Sequence, residues 1–155
     1  MSDNQLQHYH TLHSTLHSLE LATSTENGSN LDELFMFQRT DAEWRSLFDD
    51  VTYQILRHGY MEWPKTSELW DVYRPGEFQC KGCELLVYES QSRVKIATGW
   101  LYFKKSMPNA TLQVKRGENT ENICRCCGSH LGQLVVNEYE LLHCINGKAL
   151  NFLPS

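Results

Sequence analysis

The chain has 155 residues, of which 41% are hydrophobic and 21% charged, and its formal net charge is −5. That composition excludes wholesale disorder and a fibrous protein, and no apolar run approaches the ~18–20 residues of a membrane span. Residues 1–50 carry nine acidic and two basic side chains and residues 51–155 carry ten and twelve, so neither half has the basic stripe of a nucleic-acid binder. The opening residues, Met1-Ser-Asp-Asn-Gln, offer neither a positive start nor an apolar stretch, so no secretory leader is expected.

Residues 1–30 differ in character from the rest of the chain. His8, His10, His13 and His17 stand among Ser, Thr, Asn and Leu, and Leu12, Leu16 and Leu19 have helical spacing. Residues 22–30 read as a linker. This segment is expected to be a flexible, acidic, histidine-bearing arm, with the folded domain over residues 31–155. Thr40-Asp-Ala-Glu43 has the capping-box pattern, and Trp44, Leu47 and Phe48 give the helix after it an apolar stripe. A second helix is predicted over residues 50–58, burying Val51, Ile55 and Leu56, with Gly59 in the left-handed position that ends it.

From Glu68 onward the pattern changes to short strands. They are predicted over residues 77–79, 84–88, 93–97, 111–115, 133–137, 139–145 and 149–153, where Val, Leu, Ile and Tyr dominate between turn residues. No fixed repeat is visible. The expected fold is mainly β (α+β): antiparallel sheets preceded by two short helices.

The six cysteines carry the most information. Cys80-Lys-Gly-Cys83 and Cys124-Arg-Cys-Cys127 are two C-x-x-C pairs far apart in the chain. Each pair brings two thiolates close enough to share one ion, and zinc takes four such ligands in a tetrahedron. The expected metal ligands are therefore Cys80, Cys83, Cys124 and Cys127, holding a structural zinc that contributes to folding. Cys126 and Cys144 are left over.

Several words in this chain occur together in one known family. Ile55-Leu-Arg-His-Gly59, Glu62-x-Pro64, Glu68-Leu-Trp-Asp71 and Phe78-Gln-Cys-Lys-Gly-Cys83 come first. Ala97-Thr-Gly-Trp100, Cys124-x-x-Cys-Gly-Ser-His-Leu-Gly132 and His143-Cys-Ile-Asn-Gly-Lys-Ala-Leu150 come after them. From about Thr40 to Phe152 the chain resembles the B-type methionine-R-sulfoxide reductases. The resemblance implies a zinc-stapled, tent-like arrangement of antiparallel sheets. It also implies an oxidoreductase that acts on methionine-R-sulfoxide in peptides or proteins. A cysteine thiolate attacks the sulfoxide sulfur, a sulfenic acid forms, and thioredoxin or another thiol reductant regenerates the enzyme. By this resemblance Cys144 is the nucleophile, His130 and Asn146 are catalytic, and Trp100, Gln133 and Phe103 bind substrate. Cytoplasmic repair of oxidised protein under oxidative stress is the implied setting, with no nucleic acid or membrane partner.

The departures from the family fall on the chemistry. The second histidine of its H-L-G-H motif is Gln133 here, and the arginine two residues before the nucleophile is Leu142. Leu142 shares a strand face with Cys144, and an apolar neighbour disfavours a thiolate. His143 points to the other face. Leu101-Tyr-Phe103 replaces Pro-Ser-Phe after Gly-Trp, and Thr98 stands where a resolving cysteine is common, leaving Cys126 or an external thiol for that step. A slow reductase is one expectation. A catalytically impaired binding module on the same zinc scaffold is the other, and the ligand-binding domain of cereblon is similar in its paired C-x-x-C knuckles and S-H-x-G segment. An enzyme needs the Cys144 thiolate, whereas a binding module tolerates serine there.

Overall fold

A computed structural model describes residues 37–155. The predicted arm, the leucine-spaced helix within it and the start of the domain at residue 31 lie outside the described residues. The first helix, α1 (Asp41–Leu47), begins where the capping box predicts. The Thr40 hydroxyl accepts from the Glu43 amide at 3.1 Å, and the Glu43 carboxylate accepts from the Thr40 amide at 3.0 Å. Only Trp44 of this helix is buried; Leu47 is exposed, which corrects the predicted stripe. Helix α2 (Asp50–His58) starts under the Asp49 side chain, which accepts from the Thr52 amide at 2.7 Å. Gly59 ends it at φ 74°. Tyr53, Ile55 and Leu56 form its buried side, while Val51 is exposed.

The strands are β1 (Gly76–Cys80), β2 (Leu86–Glu89), β3 (Arg93–Val94), β4 (Leu101–Phe103), β5 (Thr111–Arg116), β6 (Asn119–Cys124), β7 (His130–Asn137), β8 (Glu140–Ile145) and β9 (Leu150–Pro154). They form two antiparallel sheets. One has the order β2-β1-β9, the other β3-β4-β8-β7-β6-β5. Sequence periodicity misses β4 and β6. The first has three residues; the second reads Asn-Thr-Glu-Asn-Ile-Cys, whose polarity resembles a loop. Pairing with β5 on one side and β7 on the other holds β6 in place despite that composition.

The core lies between the two sheets. Phe103 of the large sheet stacks on Tyr88 of the small one at 4.3 Å between ring centroids, and Phe78 meets Phe103 edge-on at 5.3 Å. Leu101 and Ile145, opposite each other on β4 and β8, are fully buried. Side chains alternate along a strand, so this core face of β8 also carries His143. Its Nδ1 lies 2.8 Å from the Tyr88 hydroxyl. The opposite face of β8 carries Leu142 and Cys144. Among the described residues no helix is long and apolar enough to cross a membrane.

Candidate active site and metal centre

Cys80 ends β1 in the small sheet, and Cys124 ends β6 in the large one. Each opens a tight knuckle. The Glu84 amide bonds back to the Cys80 carbonyl at 2.8 Å, and the Gly128 amide to the Cys124 carbonyl at 2.8 Å. The residue after the second cysteine is left-handed in both knuckles, Glu84 at φ 68° and Gly128 at φ 74°. The four sulfurs of Cys80, Cys83, Cys124 and Cys127 lie within 4.8 Å of one another. The Cys80–Cys127 and Cys83–Cys124 separations are 3.7 and 3.5 Å. Zn–S bonds of about 2.3 Å in a tetrahedron require sulfurs roughly 3.8 Å apart, so this donor set fits zinc. Cys126 is outside the cluster.

Arg57 of α2 packs against the same knuckle. Its guanidinium donates to the Cys127 carbonyl at 2.9 Å and the Ser129 hydroxyl at 3.1 Å, and it lies 4.4 Å from the centroid of the Trp44 ring. Burial lowers its pKa, but the nearby Cys127 and Cys80 thiolates favour its charge. A zinc ion with four thiolates carries net negative charge, which this cation offsets.

The second cluster forms around Cys144. In β8 this residue sits directly between Tyr102 of β4 and Gln133 of β7. Only 5% of it is exposed. Its neighbour on the same face, Leu142, is buried opposite Val135. Burial pushes the Cys144 thiol up to about 11, with a contribution from the Glu62 carboxylate charge; the neighbouring Tyr102 hydroxyl opposes the rise. Gly132 of β7 is required because a Cβ there would fall 2.0 Å from the Cys144 carbonyl oxygen. The β7 and β8 backbones therefore approach more closely at this point than a side chain allows.

Glu62 ties together the segments that carry Trp100 and Asn146, a role that sequence reading missed. It is buried, and its carboxylate accepts from the Gly147 amide at 3.0 Å and the Lys148 amide at 2.8 Å. Its backbone carbonyl accepts from the Trp100 indole N–H at 3.0 Å, which fixes that half-buried ring beside the segment. Its backbone amide donates to the Asn146 side-chain oxygen at 2.8 Å. The only advance signal was a glutamate two residues before Pro64.

The predicted site residues occupy different places. Cys144 and Gln133 are cross-strand neighbours, and Trp100 is tied to Glu62. Asn146 is fully buried; besides accepting from Glu62, its side-chain N–H groups reach the Leu131 carbonyl at 3.1 Å and the Tyr60 carbonyl at 3.4 Å. Its amide is occupied in binding three chain segments together. Asn146→Ala is expected to destabilise the fold by about 1–3 kcal/mol for each partner left unpaired, measured by denaturant unfolding.

His130 reaches the Cys144 face through an irregular register. Asn122 pairs with Gly132 but Ile123 pairs with His130, so Leu131 is an extra residue and the alternation shifts. The His130 Nδ1 lies 3.2 Å from the Ile55 carbonyl at the end of α2, while its Nε2 is buried without a partner among the described residues. Burial lowers its pKa to about 4, so the ring is neutral near pH 7. Phe103 requires correction. It is fully buried on the core face, stacked on Tyr88, and cannot touch a substrate at Cys144. The residue of β4 that faces Cys144 is Tyr102.

Residues 48–154 match the SelR domain family. Peptide methionine sulfoxide reductase B5 of Oryza sativa subsp. japonica is 31% identical over 125 residues, covering 76% of this chain and 92% of that protein. Peptide methionine sulfoxide reductase MsrB of Thiobacillus denitrificans is 33% identical over 125 residues, covering 75% and 94%. The protein of the same description from Herminiimonas arsenicoxydans is 34% identical over 123 residues, covering 74% and 89%. With the two sheets, the four-cysteine centre and these matches together, the chain belongs to the SelR family of B-type peptide methionine sulfoxide reductases.

Proposed function

We propose that this chain is a peptide-methionine (R)-S-oxide reductase with Cys144 as its nucleophile. The observation that carries the reading is Cys144 itself. A SelR-family chain holds this cysteine outside its metal cluster, between Tyr102 and Gln133. In the reaction the Cys144 sulfur attacks the sulfoxide sulfur, and the oxygen passes to cysteine. The thiol and the sulfoxide become a sulfenic acid and a thioether; cysteine is oxidised by two electrons and the substrate sulfur is reduced by two. One external thiol then displaces water from the sulfenic acid to form a disulfide, and a second thiol releases the Cys144 thiol. Thioredoxin or another thiol of that class supplies these electrons. Trp100 offers an apolar wall for the methyl group of the sulfoxide, and Gln133 offers an amide donor for its oxygen. Cys80, Cys83, Cys124 and Cys127 would hold a zinc ion, which would supply structural support by joining the two sheets. Repair of oxidised protein under oxidative stress, in a reducing compartment such as the cytoplasm, suits this chemistry.

The test is reduction of a dabsylated methionine sulfoxide with dithiothreitol, using separate R and S epimers and the zinc-loaded full chain. Turnover of the R epimer alone is expected. Its rate should climb about tenfold per pH unit over roughly pH 6–9, because the thiolate fraction grows in that proportion below its pKa. Absence of turnover from folded protein would leave the binding-module reading in its place.

A further inference from the structure

Transfer of the sulfoxide oxygen needs a proton at that oxygen, and the groups packed on the Cys144 face can be taken in turn. Gln133 has no labile proton near neutral pH, and Leu142 has none at all. His130 is neutral, and its Nδ1 is engaged with the Ile55 carbonyl. Burial raises the Glu62 pKa, but the Gly147 and Lys148 backbone N–H groups bond to its two carboxylate oxygens, which works against that rise and holds the group to its own segment. Glu121, opposite Gln133 on β6, is paired with Arg116 at 3.2 Å. His143 lies on the core face beside Tyr88.

Tyr102 is different. It is the direct cross-strand partner of Cys144, on the same face of the sheet. Its side chain is half-buried beside the thiol, and each group shifts the other's pKa. The Thr98 hydroxyl donates to the Tyr102 oxygen at 2.7 Å, from the loop that carries Trp100. That bond orients the phenol and stabilises negative charge on its oxygen if the proton leaves. Burial keeps the Tyr102 hydroxyl protonated well beyond neutral pH, while the Thr98 bond works against the rise.

We infer that the Tyr102 hydroxyl is the proton donor to the departing sulfoxide oxygen, oriented by Thr98, in a site where Gln133 cannot supply that proton. This rests on the reductase reading of Cys144. As the Cys144 thiolate bonds to the sulfoxide sulfur, the Tyr102 proton passes to the sulfoxide oxygen. The S–S bond and the S–O bond of the substrate then break as the new S–O bond to Cys144 forms. The products are a thioether, the Cys144 sulfenic acid and a tyrosinate that takes up from solvent the proton the thiol had released, so no acid or base is consumed overall. Tyr102 is then a catalytic residue and Thr98 a positioning residue.

Two measurements on wild type, Tyr102→Phe and Thr98→Val test this, each protein being checked for bound zinc and folding. The first is the single-turnover rate of Cys144 sulfenic acid formation with the R sulfoxide. Tyr102→Phe should slow it about 10²-fold, the low end for loss of a general acid, with a smaller loss in Thr98→Val. The second is the pH profile of Cys144 alkylation by iodoacetamide, read by peptide mass spectrometry. Its midpoint should move up by about one unit in Tyr102→Phe, because a donor to the thiolate is gone. A single-turnover rate in Tyr102→Phe within about threefold of wild type would overturn the inference, since general acids contribute far more. If wild type forms no sulfenic acid, the reductase reading fails and the role of proton donor falls with it. The alkylation profile then reports separately on the Tyr102–Cys144 bond: a shifted midpoint keeps that pairing, and an unshifted one removes it.

Discussion

Replacing Cys144 with serine should abolish sulfoxide reduction while leaving the fold and its zinc centre in place. The nucleophile must become an anion to attack, and a serine hydroxyl does not ionise in the range a thiol does. Sulfenic acid formation also has no counterpart at oxygen. The expected loss is roughly 10⁴-fold or more, the scale seen when a nucleophile is deleted from a preorganised site. Structure should suffer little. Cys144 is 5% exposed, but Tyr102 is its cross-strand neighbour on the same face and offers a hydroxyl beside the serine oxygen. The cost of burying that hydroxyl is then about 1–3 kcal/mol at most, visible as a modest fall in melting temperature. Turnover retained in Cys144→Ser would sink the nucleophile assignment outright. A wild type that is inert, paired with a serine variant that binds sulfoxide equally well, would point to the pocket as a binding site.

How much of the fold and site was legible in the sequence depends on how local each signal is. The two helices were readable because caps are local: Thr40, Glu43, Asp49 and Gly59 act within a turn of themselves. The metal centre was readable because C-x-x-C spacing prescribes its own geometry, which the mutual distances of the four sulfurs match. Strand β6 was hidden because its stability comes from neighbours on both edges and not from its own polar residues. Missing β4 had a chemical consequence. Without a strand at 101–103 no alternation rule applied there, and Phe103 was assigned to substrate although the register gives that face to Tyr102. The position of His130 was equally out of reach. The extra residue at Leu131 that turns it toward the Cys144 face is a property of the β6–β7 pairing. Glu62 was hidden because its partners, Asn146, Gly147 and Lys148, lie more than eighty residues away in the chain.

Stripping the metal should unfold the domain, and the location of the centre explains why. Cys80 and Cys83 flank the end of the small sheet, whereas Cys124 and Cys127 flank the end of β6 in the large one. A shared ion therefore ties two sheets whose packing interface is the core. Without it, thiolates 3.5–3.7 Å apart would repel one another in a cluster where Cys80, Cys124 and Cys127 are buried. Structural zinc sites contribute about 10–16 kcal/mol to the folding of isolated fingers, and whole domains have only about 5–15 kcal/mol of stability. Even a fraction of that contribution decides whether the sheets stay docked. Incubation with a chelator should abolish cooperative thermal unfolding followed by near-ultraviolet circular dichroism, and added zinc should restore it. Cys124→Ala should behave like the chelated protein. Cys126→Ala is the matched control: its side chain lies two residues away but outside the cluster, and only about 1 kcal/mol of destabilisation is expected. If metal analysis shows the zinc gone and the melting transition does not move, the centre does not hold the sheets together. If Cys126→Ala falls as far as Cys124→Ala, the ligand set must be redrawn, because the ion would then draw on a thiol this structure leaves out.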